Sequence, residues 1–225
     1  MKSVKVSVII SAFNEEKYIG RCLRSLINQS MNHDEYEIIV INDGSTDKTA
    51  YALDNFKSPK EDLIKINLIT NKTNLGLPSS LNKGIVSAKG KYIVRVDADD
   101  FVNFNFLKFL SFYLDTNPDS NAVSCDYYLI NDKEEVIKRV DSDEIPIACG
   151  IIFRKETLMN IGLYDESFFV QEEVELRLRY LKNYSIDRLQ IPLYRYRRHE
   201  NNITNDEARM NLYANKIRKK HNIDL

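Results

Sequence analysis

Apolar residues along this chain fall into two patterns that alternate. Short, nearly unbroken β-branched runs occupy Val4–Ala12, Tyr36–Ile41, Leu63–Ile69 and Lys91–Val96. Such runs fit strands buried on both faces. Between them apolar residues recur at helical spacing, as in Ile19, Cys22, Leu23, Leu26 and Ile27. Asn14 is placed to cap that first helix, with Glu15 and Glu16 suited to its first turn. The segment Asn42-Asp43-Gly44-Ser45 is a turn, and Thr46–Phe56 reads as a helix. Pro78 opens a short helix that Gly90 closes. Strands separated by helices predict a mainly parallel α/β sheet with right-handed crossovers. The segments near Ser11, Asp43, Asn71 and Asp97 should then meet in one crevice at the strands' C-terminal edge.

The second half follows a different rhythm. Asn103–Thr116 reads as a helix, and Ala122–Ile130 with Val136–Val140 as a hairpin-like pair. Ala148–Phe153 reads as a strand, Lys155–Ile161 as a short helix stopped by Gly162, and Gln171–Leu181 as another helix. Ile186–Tyr196 is extended and carries Pro192, which predicts an edge strand. Asn205–Asn222 reads as a terminal amphipathic helix. This half is expected to extend the first sheet as a smaller mixed region.

Composition narrows the field without choosing a chemistry. The 225 residues are ample for one core, and 43% hydrophobic with 29% charged is ordinary for a globular protein. A formal net charge of −1 provides no basic field for nucleic acid. Apolar stretches are too short to span a bilayer, and no signal peptide is read. The scattered Cys22, Cys125 and Cys149 form neither a disulfide framework nor a Cys-based zinc site, which favours a reducing cytoplasm.

Candidate chemistry begins at Asp97-Ala98-Asp99-Asp100, where a β-branched strand ends in carboxylates. Three carboxylates so close repel one another unless a cation joins them, and hard oxygen ligands suit Mg²⁺ or Mn²⁺. A solvated acidic turn is the plainer reading. Asp43 could accept hydrogen bonds from a base or ribose, or simply form an Asx turn with Gly44. Glu172 and Glu173, after Phe168-Phe169, could include a general base, or merely suit a helix N-terminus. His199 follows the basic run Arg195-Tyr196-Arg197-Arg198 and is either a metal or diphosphate ligand or a surface residue. Phosphate-loop, dinucleotide and Gly-x-Ser-x-Gly signatures are absent from the sequence.

In order along residues 4–205, these segments resemble the family 2 glycosyltransferases. The carriers are Val6-Ser-Val-Ile-Ile-Ser-Ala-Phe-Asn14-Glu15, Glu37-Ile-Ile-Val-Ile-Asn-Asp43-Gly-Ser-Thr-Asp47, Asn74-Leu-Gly76 with Leu81-Asn82-Lys83-Gly84-Ile85, Lys89–Asp100, Gly150-Ile-Ile-Phe-Arg-Lys with Ile161-Gly-Leu-Tyr-Asp165-Glu166, and Gln171-Glu172-Glu173. The resemblance implies an α/β, Rossmann-like GT-A fold over 1–204, with a nucleotide-binding half at 1–100, an acceptor half at 101–204, and a helical tail at 205–225. It implies an inverting, metal-dependent enzyme using Mn²⁺ or Mg²⁺. The sugar would move from a nucleotide-diphosphate sugar, a uridine diphosphate sugar by preference, to a hydroxyl of a glycan or lipid-linked acceptor in bacterial surface polysaccharide synthesis. By the same resemblance Ser11, Phe13, Asp43, Gly76, Asn82, Asp97 and Ala98 bind the donor. Asp99, Asp97 and His199 approach the metal. Glu173 is the base beside Glu172, although the family has Asp where this chain has Glu173. Asp100 is left as a cap or turn residue. The alternatives are a nucleotidyltransferase, which an early Gly-rich basic loop would mark, and a non-catalytic sugar-nucleotide-binding protein. The basic tail helix could touch the cytoplasmic face of a membrane, but packing on the domain is favoured.

Overall fold

Alternation along the central strands sorts their side chains onto two opposite faces. Val8 and Ile10 of β1 (Val6–Ala12), with Ile38 and Val40 of β2 (Tyr36–Asn42), join one buried cluster. Ile9, Ile39 and Ile41 join the other. The first cluster is closed by α1 (Ile19–Ile27) and α4 (Phe106–Thr116) through residues such as Leu23, Leu26, Phe106 and Leu110. The second is closed by α3 (Leu77–Ser87) through Leu81 and Ile85. Burial on both faces explains why these strands carry continuous apolar runs. The computed structural model of the chain describes residues 3–56, 64, 66–200, 202 and 205–223.

The remaining elements are α2 (Thr49–Asp54), β3 (Ile66–Thr70), β4 (Tyr92–Arg95), β5 (Phe101–Val102), β6 (Ala122–Ile130), β7 (Val136–Val140), β8 (Ile151–Arg154), α5 (Lys155–Asn160), α6 (Glu172–Tyr180), β9 (Ile186–Arg197) and α7 (Glu207–His221). One sheet runs β3-β2-β1-β4-β8-β6-β9-β5, with β7 paired to β6. The first four strands are parallel. β8 then runs antiparallel between β4 and β6, and β6 and β9 form a long parallel pair. The chain goes from β1 outward through β2 and β3, then returns to place β4 on β1's other side. That reversal makes the C-terminal ends of β1 and β4 a switch point, where such sheets bind ligands.

Several expectations are corrected in detail. Asn14 does not cap α1, which begins at Ile19; Asn14 sits at φ 58° instead. Its side chain accepts hydrogen bonds from the Thr46 N–H at 2.8 Å and the Asp47 N–H at 3.4 Å, binding the loop after β1 to the loop after β2. The bond is reciprocated: the Asn14 N–H donates to Ser45 Oγ, that of Glu15 to Thr49 Oγ1, and that of Glu16 to Asp47. Gly90 is not the cap of α3, which ends at Ser87. Any Cβ at Gly90 would lie 2.5 Å from the Ser7 nitrogen, so the residue serves close approach to β1. Pro192 lies where the β6–β9 register breaks, and β5 covers β9 beyond it at Tyr194 and Arg195; only the earlier part of β9 is an edge. The expected third strand begins in residues outside those described. Within the described residues no helix is long and apolar enough to cross a membrane. Ile217 of α7 is fully buried and its Lys220 reaches Asp165, so the tail helix packs on the domain.

Candidate active site

A cavity of about 860 Å³ opens over the β1–β4 switch point. Ser11, Phe13, Asp43, Gly76, Asp97, Ala98, Asp99, Glu172, Glu173 and His199 all line it. Asn82 does not: its side-chain amide donates to the Tyr164 carbonyl at 2.9 Å and to Glu166, and its oxygen accepts from the Tyr164 N–H. It bolts α3 to the loop before α6, with both amide hydrogens committed there.

Asp43 is almost fully buried and already employed. Its carboxylate accepts from the Asn71 amide at 2.8 Å and from the N–H groups of Leu75 and Gly76, each at 2.9 Å. It therefore shapes the 74–76 loop from beneath. The Asp43 side chain does not make the expected Asx turn; its neighbour Asn42 instead accepts from the Ser45 N–H, three residues on. Gly76, at φ 93°, lies under the Phe169 ring, with no room for a Cβ between them.

Beyond β4 the acidic cluster divides its labour. Arg95, the last residue of β4, grips Asp97 through two bonds of 2.6 and 3.2 Å. The same guanidinium donates to Glu172 at 2.8 Å. Arg95 and Glu172 are buried and Asp97 is partly exposed, and against the opposing effect of burial both carboxylates drive the guanidinium's proton affinity up. Asp100 is not a helix cap: α4 starts only at Phe106. Its carboxylate accepts from the Arg197 N–H at 2.7 Å and from the Tyr194 hydroxyl at 2.8 Å, latching β9 to the end of β4. Burial, then the charges of Asp99 and Asp97, push its proton affinity well up.

At the mouth, Asp99 Oδ2 lies 3.0 Å from His199 Nε2, and the imidazole stacks on Tyr18 with centroids 5.1 Å apart. The other ring nitrogen, Nδ1, is buried and has no hydrogen-bond partner among the described residues. Glu15 faces the same space, and its carboxyl is pushed up to about 8 by burial and then by Asp99, Asp97 and Asp47. Asp97, Asp100 and Cys149 also have ligating atoms within 4.8 Å of one another. Arg95, Arg197 and Tyr194 already occupy the carboxylates of that inner trio. The outer set has spare capacity and excess negative charge, so its residues fit a hard divalent cation.

The two glutamates at the start of α6 differ sharply. Glu172 is buried and neutralised by Arg95. Glu173 has no cationic partner among the described hydrogen bonds and faces the cavity. Burial, and next the Glu172 charge, raise its carboxyl to about 7. Gln171, at φ 57°, turns the chain so that both side chains enter the site from one helix end.

Sequence reasoning passed over Arg95, Glu15, Tyr18 and Phe169. A charged residue inside the apolar run Tyr-Ile-Val-Arg-Val was the available signal for Arg95. Glu15 carried none, because the carboxylates that perturb it lie far along the chain.

The family model for Glycosyl transferase family 2 matches residues 7–173. The chain belongs to that family. It is 40% identical over 129 residues to an uncharacterized glycosyltransferase of Haemophilus influenzae, covering 57% of this chain and 38% of that protein. Over 99 residues it is 39% identical to a poly(ribitol-phosphate) β-glucosyltransferase of Bacillus spizizenii, covering 44% of this chain and 15% of that one. The chain thus spans less than half the length of these curated relatives. Staphylococcus aureus TarS 1–349 in complex with UDP-GlcNAc superposes with a TM-score of 0.77 at 23% identity, over 90% of this chain and 61% of that one. The mannosyltransferase PcManGT of Pyrobaculum calidifontis, in complex with GDP-Man and Mn²⁺, gives 0.77 at 18% identity, over 100% of this chain and 66% of that one. These likenesses show the fold to be GT-A.

Proposed function

We propose that the protein transfers a sugar, with inversion, from a nucleotide-diphosphate sugar to a hydroxyl of a glycan or lipid-linked acceptor. The observation that carries this reading is the contrast at α6: Glu172 is ion-paired to Arg95, while Glu173 faces the cavity with its carboxyl raised to about 7. Residues 1–204 act as the transferase domain, and 205–225 as a tail packed on it.

Donor chemistry is assigned to the β1–β4 side. Ser11, Phe13 and the loop shaped by Asp43 form the base and ribose pocket, with Asp97 and Ala98 beneath the sugar phosphate. Asp99 and His199, with Glu15 near them, would hold Mn²⁺ or Mg²⁺, and Asp97, gripped by Arg95, would stand beside the ion. When bound, such an ion offsets charge on the leaving diphosphate. Glu173 takes the proton from the acceptor hydroxyl as its oxygen bonds to the anomeric carbon. The bond from that carbon to the diphosphate oxygen breaks, and its electron pair leaves with the nucleotide diphosphate. Two solved neighbours hold UDP-GlcNAc and GDP-Man with Mn²⁺ respectively, which supports a nucleotide-sugar donor; a uridine nucleotide is the first choice.

The test compares Glu173→Gln with the wild type in a transfer assay over a panel of sugar nucleotides with Mn²⁺, and in nucleotide titration calorimetry. Transfer is expected to vanish while UDP affinity stays within about twofold, because an isosteric neutral side chain removes the base and little else. Wild-type turnover in the variant would reject the assignment. Asp99→Ala is expected to abolish the Mn²⁺ dependence of donor binding; an unchanged Mn²⁺ titration would remove Asp99 from the metal.

A further inference from the structure

The two sides of the cavity carry opposite charge. Glu15, Asp43, Asp97 and Asp99 stand on the β1–β4 side, and α6 adds its glutamates. The facing wall is one face of the β7–β6–β9 layer. There Leu129 of β6 pairs with Lys138 of β7 on one flank and Tyr196 of β9 on the other. Strand alternation puts Arg198, two residues beyond Tyr196, on the same side, and all four line the cavity. The Arg198 N–H donates to the Ile130 carbonyl at 2.9 Å, which carries the β6–β9 ladder as far as this residue. α7 contributes Arg209 and Met210.

What separates these cations from others on the same strands is the lack of a counter-charge. Arg139 and Arg188, which do not line the cavity, are neutralised by the buried carboxylate of Asp126 at 2.7 and 2.8 Å, and Asp141 adds a second partner for Arg188 at 2.6 Å. Lys138, Arg198 and Arg209 are exposed, and among the described residues no carboxylate forms an ion pair with any of them. Like charges lining one cavity repel until an anion lies between them. Arginine forks and a lysine ammonium are the standard donors to phosphate oxygens. Ile145, Pro146 and Met210 beside them offer apolar contact to the carbon chain joining a phosphate to its neighbour.

We propose that the acceptor bears a phosphate group near its accepting hydroxyl, held by Lys138, Arg198 and Arg209 while Glu173 meets the hydroxyl. This rests on the transfer reaction proposed above and adds the chemical class of its acceptor. The phosphate belongs either to a polyol-phosphate chain or to a polyprenyl phosphate carrier, and two arms of one experiment separate them.

One arm measures fluorescence anisotropy of a labelled glycerol phosphate oligomer against an uncharged oligosaccharide of matched length. The other measures co-sedimentation with phosphatidylcholine vesicles, with and without polyprenyl monophosphate. Binding of either phosphate-bearing probe above its uncharged control is the expected result, and which probe binds names the source. Lys138→Gln, Arg198→Gln and Arg209→Gln should each weaken that binding roughly fivefold, and the triple variant about a hundredfold, as for exposed charge-assisted contacts. UDP affinity with Mn²⁺ should not change. The proposal is overturned if neither phosphate probe exceeds its control. It is also overturned if the triple variant loses UDP affinity in step, which would give these cations to the donor diphosphate. Failure of the transfer reading looks different: no sugar nucleotide is turned over, while phosphate binding and its dependence on the three cations persist.

Discussion

Glu15 and Glu173 hold their protons at pH values where a free glutamate is already ionised, and each departure is measurable. Glu173 must lose its proton before it can act, so kcat/KM should rise with pH and level off above about 7, the value to which its carboxyl is raised. In Glu172→Gln the neighbouring negative charge is gone, and the inflection should move to lower pH; a profile flat from pH 5 to 9 would remove Glu173 from the mechanism. For Glu15 the readout is stability. Its carboxyl is raised to about 8, so between the unfolded value and that point the folded chain keeps a proton that the unfolded chain releases. Stability contributed by the protonated form is therefore lost as pH rises through that window. Glu15→Gln should raise Tm at pH 8 by about 3 °C in metal-free buffer, the scale expected for roughly 1 kcal/mol in a chain of this size, and by much less at pH 4.5. Differential scanning calorimetry at the two pH values reads the difference. The acidic strand end that includes Asp97 and Asp99 was legible in the sequence because it is local. The pairing of Arg95 with Glu172 was not, since it joins residues 77 positions apart whose proximity only the fold creates.

Strands and helices were legible wherever periodicity and burial agreed, as in β1, β2, α3 and α4. They were misjudged wherever a side chain served a neighbour instead of its own element. Asn14 looked like a helix cap and became a strut between loops; Asp100 looked like a turn residue and became the latch of β9. β5 was missed because two residues carry no periodicity. Two element-scale tests follow from packing. Gly76→Ala combines a positive φ with a Cβ 2.8 Å from the Phe169 ring, and should cost about 1–3 kcal/mol in urea denaturation, with weaker nucleotide binding if the loop shifts. Glu175 of α6 is fully buried beneath Arg179, Lys220 and His221, so it fastens α7 to the helix that carries Glu172 and Glu173. Glu175→Ala leaves those cations without their anion and should cost about 3 kcal/mol by the same measurement. A loss below about 0.5 kcal/mol would show that this junction carries little of the fold's stability.

At the scale of the molecule, one sheet joins what the sequence divides into a nucleotide half and an acceptor half. β4 pairs with β8, and α4 closes the buried cluster under β1 and β2, so residues 1–100 depend on a strand and a helix that 101–204 supplies. The 1–204 segment should melt in a single transition by circular dichroism, and 1–100 expressed alone should show no cooperative melt. The cavity owes its two-sided chemistry to the same closure, with an acidic floor from the parallel strands and a basic wall from the mixed ones. The loops after β1 and β2 are bound to each other through Asn14, Glu15 and Glu16 on one side and Ser45, Thr46, Asp47 and Thr49 on the other. Neither can therefore lengthen or be exchanged by itself. Grafting one from a relative to alter donor choice would strand its partner's donors and acceptors, so the pair forms a single cassette that must be inherited, or transplanted, together.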